Sequence, residues 1–110
     1  NYTDPPANQL KKILNIGSQQ TIKTVDGTDV EMSDQQATLL LGMVDSSKPG
    51  SIARMFKPDA VDRMGAVIMD SGKLQKLLSV KSSDEMKNAM ANMANLSSTD
   101  KRPDGGRSNY

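Results

Sequence analysis

Apolar residues recur along much of this chain at helical spacing. Leu10, Ile13 and Leu14 stand at i, i+3 and i+4 and make one stripe. Asp4-Pro5-Pro6 precedes them, a capping residue followed by a ring that has no N–H to leave unbonded. The pattern predicts a helix over 5–15, stopped at Gly17 with Ile16 folded back onto the stripe.

Alternation replaces that period from Thr21 to Met32, around Asp26-Gly27, and predicts a β-hairpin at 21–32. A two-residue loop would set Ile22 against Glu31 and Lys23 against Val30. A three-residue loop at Asp26-Gly27-Thr28 sets Ile22 against Met32, Thr24 against Val30 and Lys23 against Glu31. The second register gives an apolar face and a charge-matched face, and is preferred. Two strands alone are marginal in water, so the hairpin must pack on helices or meet another strand.

Helical spacing then returns. Ser33-Asp34-Gln35-Gln36 has capping-box form and opens a helix to about Asp45. Its inward face is Leu39, Leu40, Met43 and Val44, broadened by Leu41. Lys48-Pro49-Gly50 is a turn. Ser51 caps a short helix over 52–57 with Ile52, Met55 and Phe56 inward. Pro58-Asp59 opens the next helix, to about Asp70, with the stripe Ala60/Val61, Met64, Val67/Ile68. Ser71-Gly72 breaks it, and a helix over 73–80 turns Leu74, Leu77 and Leu78 inward. Ser82-Ser83-Asp84-Glu85 caps the last helix, over 83–96, whose face is Met86, Ala89, Met90, Met93 and Ala94. No period runs beyond Leu96. The expectation is a mainly α fold (α+β by strict count): four to five short helices around one hairpin, one domain at 1–96, and a flexible tail at 97–110.

Composition narrows the chemistry. The 110 residues hold no Cys, no His and no Trp, with 14 Lys and Arg against 13 Asp and Glu. Disulfides, thiol nucleophiles, imidazole bases and zinc sites of Cys or His are therefore absent. No phosphate loop, nucleophile elbow or Ser-x-x-Lys pair occurs, so neither enzyme nor cofactor is expected. Asp26, Asp29, Glu31 and Asp34 lack the spacing of a calcium loop, and no metal is expected. No apolar run approaches the length of a bilayer span, and with no basic segment followed by an apolar one at the start, no signal peptide is expected in these residues. Asn1 stands where Met would open a nascent chain, so a processed product or a piece of something longer is expected. Compartment stays open, with the cytoplasm or the inside of a particle favoured.

Two features point to contact with other molecules. The face Met86, Met90 and Met93 offers unbranched thioethers that adapt to irregular partners, and the face Leu39, Leu40 and Met43 of the earlier helix is expected to supply further apolar contacts. These six are the candidate protein-binding residues. Charge is also uneven: acidic residues alone occupy 26–45, whereas 48–81 is mainly basic. Opposite blocks can orient partners or a second copy. The expected role is a non-catalytic adaptor or structural subunit that binds other protein chains, as in phage or secretion-type particles. The alternative is a helix-turn-helix-like DNA regulator that uses Arg54, Lys57 and Arg63, with Lys101, Arg102 and Arg107 adding weak phosphate contacts. A near-neutral chain speaks against it. A weaker alternative is an inhibitor that presents the acidic block.

Overall fold

A computed structural model describes residues 3–15 and 20–103. The Gly17 stop, the Ile16 fold-back and residues 104–110 lie outside the described residues. The order is α1 (Pro6–Leu14), β1 (Thr21–Lys23), β2 (Asp29–Glu31), α2 (Asp34–Val44), a 3-10 segment (Ile52–Met55), α3 (Pro58–Ile68), α4 (Ser71–Ser79), α5 (Ser83–Met93) and a last 3-10 turn (Ser98–Asp100). This is the five-helix arrangement around one antiparallel hairpin that the spacing predicts.

Local rules set the boundaries. α1 starts at Pro6 rather than Pro5, because a residue before proline is pushed to extended backbone. Asp4 is then too early to cap the helix, and its carboxylate pairs with Lys12 at 2.7 Å instead. α2 opens on the reciprocal capping box read from sequence: the Gln36 N–H donates to Ser33 Oγ at 3.2 Å, and the Ser33 N–H donates to Gln36 Oε1 at 3.0 Å. The 3-10 segment stops at Met55, and Phe56 and Lys57 are extended ahead of Pro58. α4 begins two residues before the predicted start, since Asp70 caps it by accepting the Lys73 N–H at 3.0 Å. Ser71-Gly72 thus forms a first turn and is not itself the break.

The hairpin register differs from the preferred one. Thr21 faces Glu31, Ile22 faces Val30 and Lys23 faces Asp29. The loop keeps three residues but is Val25-Asp26-Gly27, closed by the Thr24 N–H on the Thr28 carbonyl at 2.9 Å. Gly27 supplies the left-handed position at φ +86°. Asp26 Oδ1 accepts from Thr24 Oγ1 and from the Thr28 N–H, and its Oδ2 accepts from Ser71 Oγ at 2.9 Å. That network fixes Asp26 within the turn. The apolar and charged pairing survives with new partners: Ile22 and Val30 are both buried, and Lys23 pairs with Asp29 at 3.2 Å.

One core joins all the helices to the hairpin. Leu10, Ile22, Leu40, Met43, Met64, Ile68, Leu74, Leu77 and Met90 are sealed from solvent. Each such side chain contributes about 1.5–3 kcal/mol by leaving water. α1 lies on α2 and on β1, α2 packs on α3, and α3, α4 and α5 pack on one another. The hairpin gains the support it needs from backbone as well as core: the Val25 N–H donates to the Met69 carbonyl at 3.0 Å. Within the stretch read as a tail, residues 97–102 are held against the body, as described next.

Candidate binding cleft

The 3-10 segment and the residues after α5 come together beside α3. The Lys57 N–H donates to the Asp100 carbonyl at 2.7 Å, and the Arg102 N–H donates to the Met55 carbonyl at 3.0 Å. Phe56 and Lys101 form an isolated antiparallel bridge, and Arg102 Nε donates to the Phe56 carbonyl at 3.1 Å. This strap, residues 97–102, is anchored through α3. Arg63 Nη2 lies 2.7 Å from Asp100 Oδ2, while its Nε donates to the Ala94 carbonyl at 3.0 Å. A cation at a helix C-terminus satisfies a free carbonyl and complements the helix dipole. The hydrogen bond from Arg63, with that of the Ser97 N–H, holds the Asp100 carboxyl below its ordinary range.

The turn out of α5 aims the strap. Asn95 adopts φ +57°, the Leu96 N–H donates to the Ala91 carbonyl at 2.9 Å, and the Asn95 N–H donates to the Asn92 carbonyl at 3.2 Å. These bonds make a Schellman end with Asn in the usual glycine place. They stop the helix at Met93, short of the predicted Leu96.

Between strap, 3-10 segment and helices lies a cleft of about 290 Å³. Its floor is Met43 of α2, Met64 of α3 and Met90 of α5. Ile52, Met55 and Phe56 form one wall, and Ala91 and Leu96 another. Lys87 and Lys101 stand at its polar margin, both exposed. Met55 is 41% exposed, and among the described large apolar side chains only Val25 of the hairpin turn is as open.

The structure divides the residues chosen from sequence. Met43 and Met90 reach the cleft floor but are almost wholly enclosed. Leu40 is buried in the core. Met86 is buried, and with the half-buried Leu39 borders a separate polar depression where the starts of α2 and α5 meet. Met93 is half-buried against the core. The six therefore form no continuous outer face, because α5 turns its methionines inward where aromatic side chains are lacking. Sequence reasoning missed Met55 as a surface group, missed Leu96, and gave Lys101 only a phosphate contact in the DNA reading. A signal was present: Ser97-x-x-Asp100 has the spacing of a cap, and the Ser97 N–H indeed donates to Asp100 Oδ2 at 2.9 Å.

The basic residues of the DNA reading are also dispersed. Arg54 is half-buried on a 3-10 segment of four residues, Lys57 is exposed ahead of α3, and Arg63 is committed to Asp100 and Ala94. A segment that short supplies no recognition helix. The acidic block is partly neutralised within the fold: Asp29 pairs with Lys23, and Asp45 with Lys11 at 3.5 Å. A hydroxyl bond from Ser47 and the charge of Lys11 hold the Asp45 carboxyl low, and the bonds from Thr24, Thr28 and Ser71 do so for Asp26. Among the described residues no group of three or more acidic side chains is placed to hold a metal ion, and no helix is long and apolar enough to cross a membrane. Comparison with protein families, curated proteins and solved structures found no match to this chain.

Proposed function

We propose that this protein is a non-catalytic interaction module, an adaptor or assembly subunit that holds a segment of another protein chain in the cleft beside the strap. The supporting observation is the cleft itself, with thioether and aliphatic walls, an exposed Met55 at its edge and charge confined to its margin. Such a surface suits apolar side chains of a partner. Methionine suits the task, because its flexible thioether reshapes around what it meets. The helix faces named from sequence contribute from beneath, through Met43 and Met90, and do not dock directly.

Ala91→Arg tests the reading, since position 91 lines the cleft and is partly open to solvent. Wild type and variant, matched by circular dichroism and thermal melting, are each used to capture proteins from the producing cell. At least one chain retained by wild type and lost by Ala91→Arg is expected. Equal retention by both places the contact elsewhere and overturns the reading.

A further inference from the structure

We propose that the occupant of the cleft is an amphipathic peptide segment with apolar anchors at i and i+3 or i+4 and carboxylates beside them. The inference rests on the reading above and specifies its partner. Charge selects the carboxylates. Like most cations of this fold, Lys87 and Lys101 form no ion pair among the described residues, and what sets them apart is their place beside the cleft. One rises from α5 and the other from the strap, and both border the same apolar opening. Uncompensated cations on an apolar rim favour acidic partners and repel basic ones.

Size and lining select a segment over an enclosed small molecule. A volume of about 290 Å³ falls just below the range for sites that surround a ligand, roughly 300–1,000 Å³. It suits a few anchoring side chains of a longer chain that continues over the surface. Apart from the two lysines the lining side chains are all apolar, so nothing inside the cleft would orient a polar ligand. Apolar anchors that repeat every three or four residues lie on one face of a helix, which is how such segments fill grooves.

The test is selection of a displayed library of random 16-residue peptides on the wild-type protein. Enriched peptides are then synthesised with a fluorescent label and titrated by polarisation. Enrichment of Asp and Glu beside apolar pairs at i, i+3 or i, i+4 is expected. Binding should weaken at least tenfold in Lys87→Glu/Lys101→Glu, several-fold between 0.05 and 0.5 M salt, and be abolished in Ala91→Arg. Both lysines are exposed, so the double variant should keep its fold, checked by thermal melting. Enriched peptides without acidic bias that still fail on Ala91→Arg overturn this inference and leave the interaction module standing. Peptides indifferent to Ala91→Arg, or no enrichment at all, overturn both. Dodecanoate that displaces every selected peptide at lower concentration than the peptides themselves assigns the cleft to a lipid-like anion and also overturns the inference.

Discussion

Arg63 meets Asp100 at 2.7 Å while the same guanidinium caps the last turn of α5 at the Ala94 carbonyl, 3.0 Å away. One side chain of α3 thus sets both the end of a helix and the course of the strap beyond it. Leu96 lies between those two points, Lys101 directly follows the second, and both line the cleft. Loss of the pair should therefore free the strap before it disturbs the core. In Arg63→Ala, trypsin should cut after Lys101 at least tenfold faster than in wild type, with little change in far-UV circular dichroism. Unchanged cleavage would mean that the backbone bonds of Met55, Phe56 and Lys57 hold the strap alone.

The carboxylates define how stability responds to acid. Asp26, Asp45 and Asp100 all have folded-state pKa values below the ordinary 3.8. Each therefore binds its proton more readily in the unfolded chain. The stability they contribute is complete above the unfolded value and is lost as pH falls through the folded one. With no histidine in the chain, nothing on a side chain titrates ordinarily between pH 5 and 8. The urea midpoint should be flat over that range and drop below about pH 4. Asp26→Asn, which loses the charge that accepts the Thr24, Thr28 and Ser71 bonds, should make that drop shallower. An equally steep drop in the variant would show that Asp26 does not contribute to it.

Gln9 is a polar group sealed between α1 and β1, 3% exposed. Its Oε1 accepts the Lys23 N–H at 2.8 Å, and its Nε2 donates to the Lys23 carbonyl at 3.0 Å and to the Asp4 carbonyl at 3.0 Å. The side-chain amide acts as a third strand would, pairing with both main-chain groups of one residue. Gln9→Ala leaves those groups without their side-chain partner and should cost about 2–3 kcal/mol in urea unfolding at constant m-value. Gln9→Glu keeps the acceptor but loses the donor, and should also destabilise. A neutral Gln9→Ala would mean that water replaces the amide.

These residues mark where the sequence is readable. Ser33 and Gln36 are three apart and bond to each other, so their cap is visible in the chain itself. The stripes of α3 and α4 are equally local, and Ala60, Met64, Val67, Ile68, Leu74 and Leu77 are buried as spaced. Gln9 gives no such sign, because its partner is fourteen residues away and is backbone, which carries no residue identity. The register failed for a different reason. Several pairings of 21–24 with 28–32 match apolar with apolar, and the bonds that hold the observed one include distant partners, Ser71 on Asp26 and the Met69 carbonyl on Val25. The cleft depended on the same kind of distant meeting, between Phe56 and Lys101. Periodicity shows which face of a helix is apolar, but not whether a core or a partner covers it, and the methionines of α5 were ambiguous on that ground.

The close of α5 gives a last prediction. Asn95 at φ +57° is in a region that costs most L-residues about 1–2 kcal/mol, with β-branched side chains worst placed. Asn tolerates it and Gly is unhindered there, although Gly also gains freedom in the unfolded chain. Asn95→Gly should stay within about 0.5 kcal/mol of wild type, and Asn95→Val should lose roughly 1–2 kcal/mol. The effect should extend to function, since a turn that cannot adopt this angle displaces Leu96 and the strap behind it. Peptides selected on wild type should therefore bind Asn95→Val more weakly and Asn95→Gly equally well. If Asn95→Val unfolds at the wild-type urea concentration, the left-handed turn does not set the end of α5, and the course assigned to the strap is wrong with it.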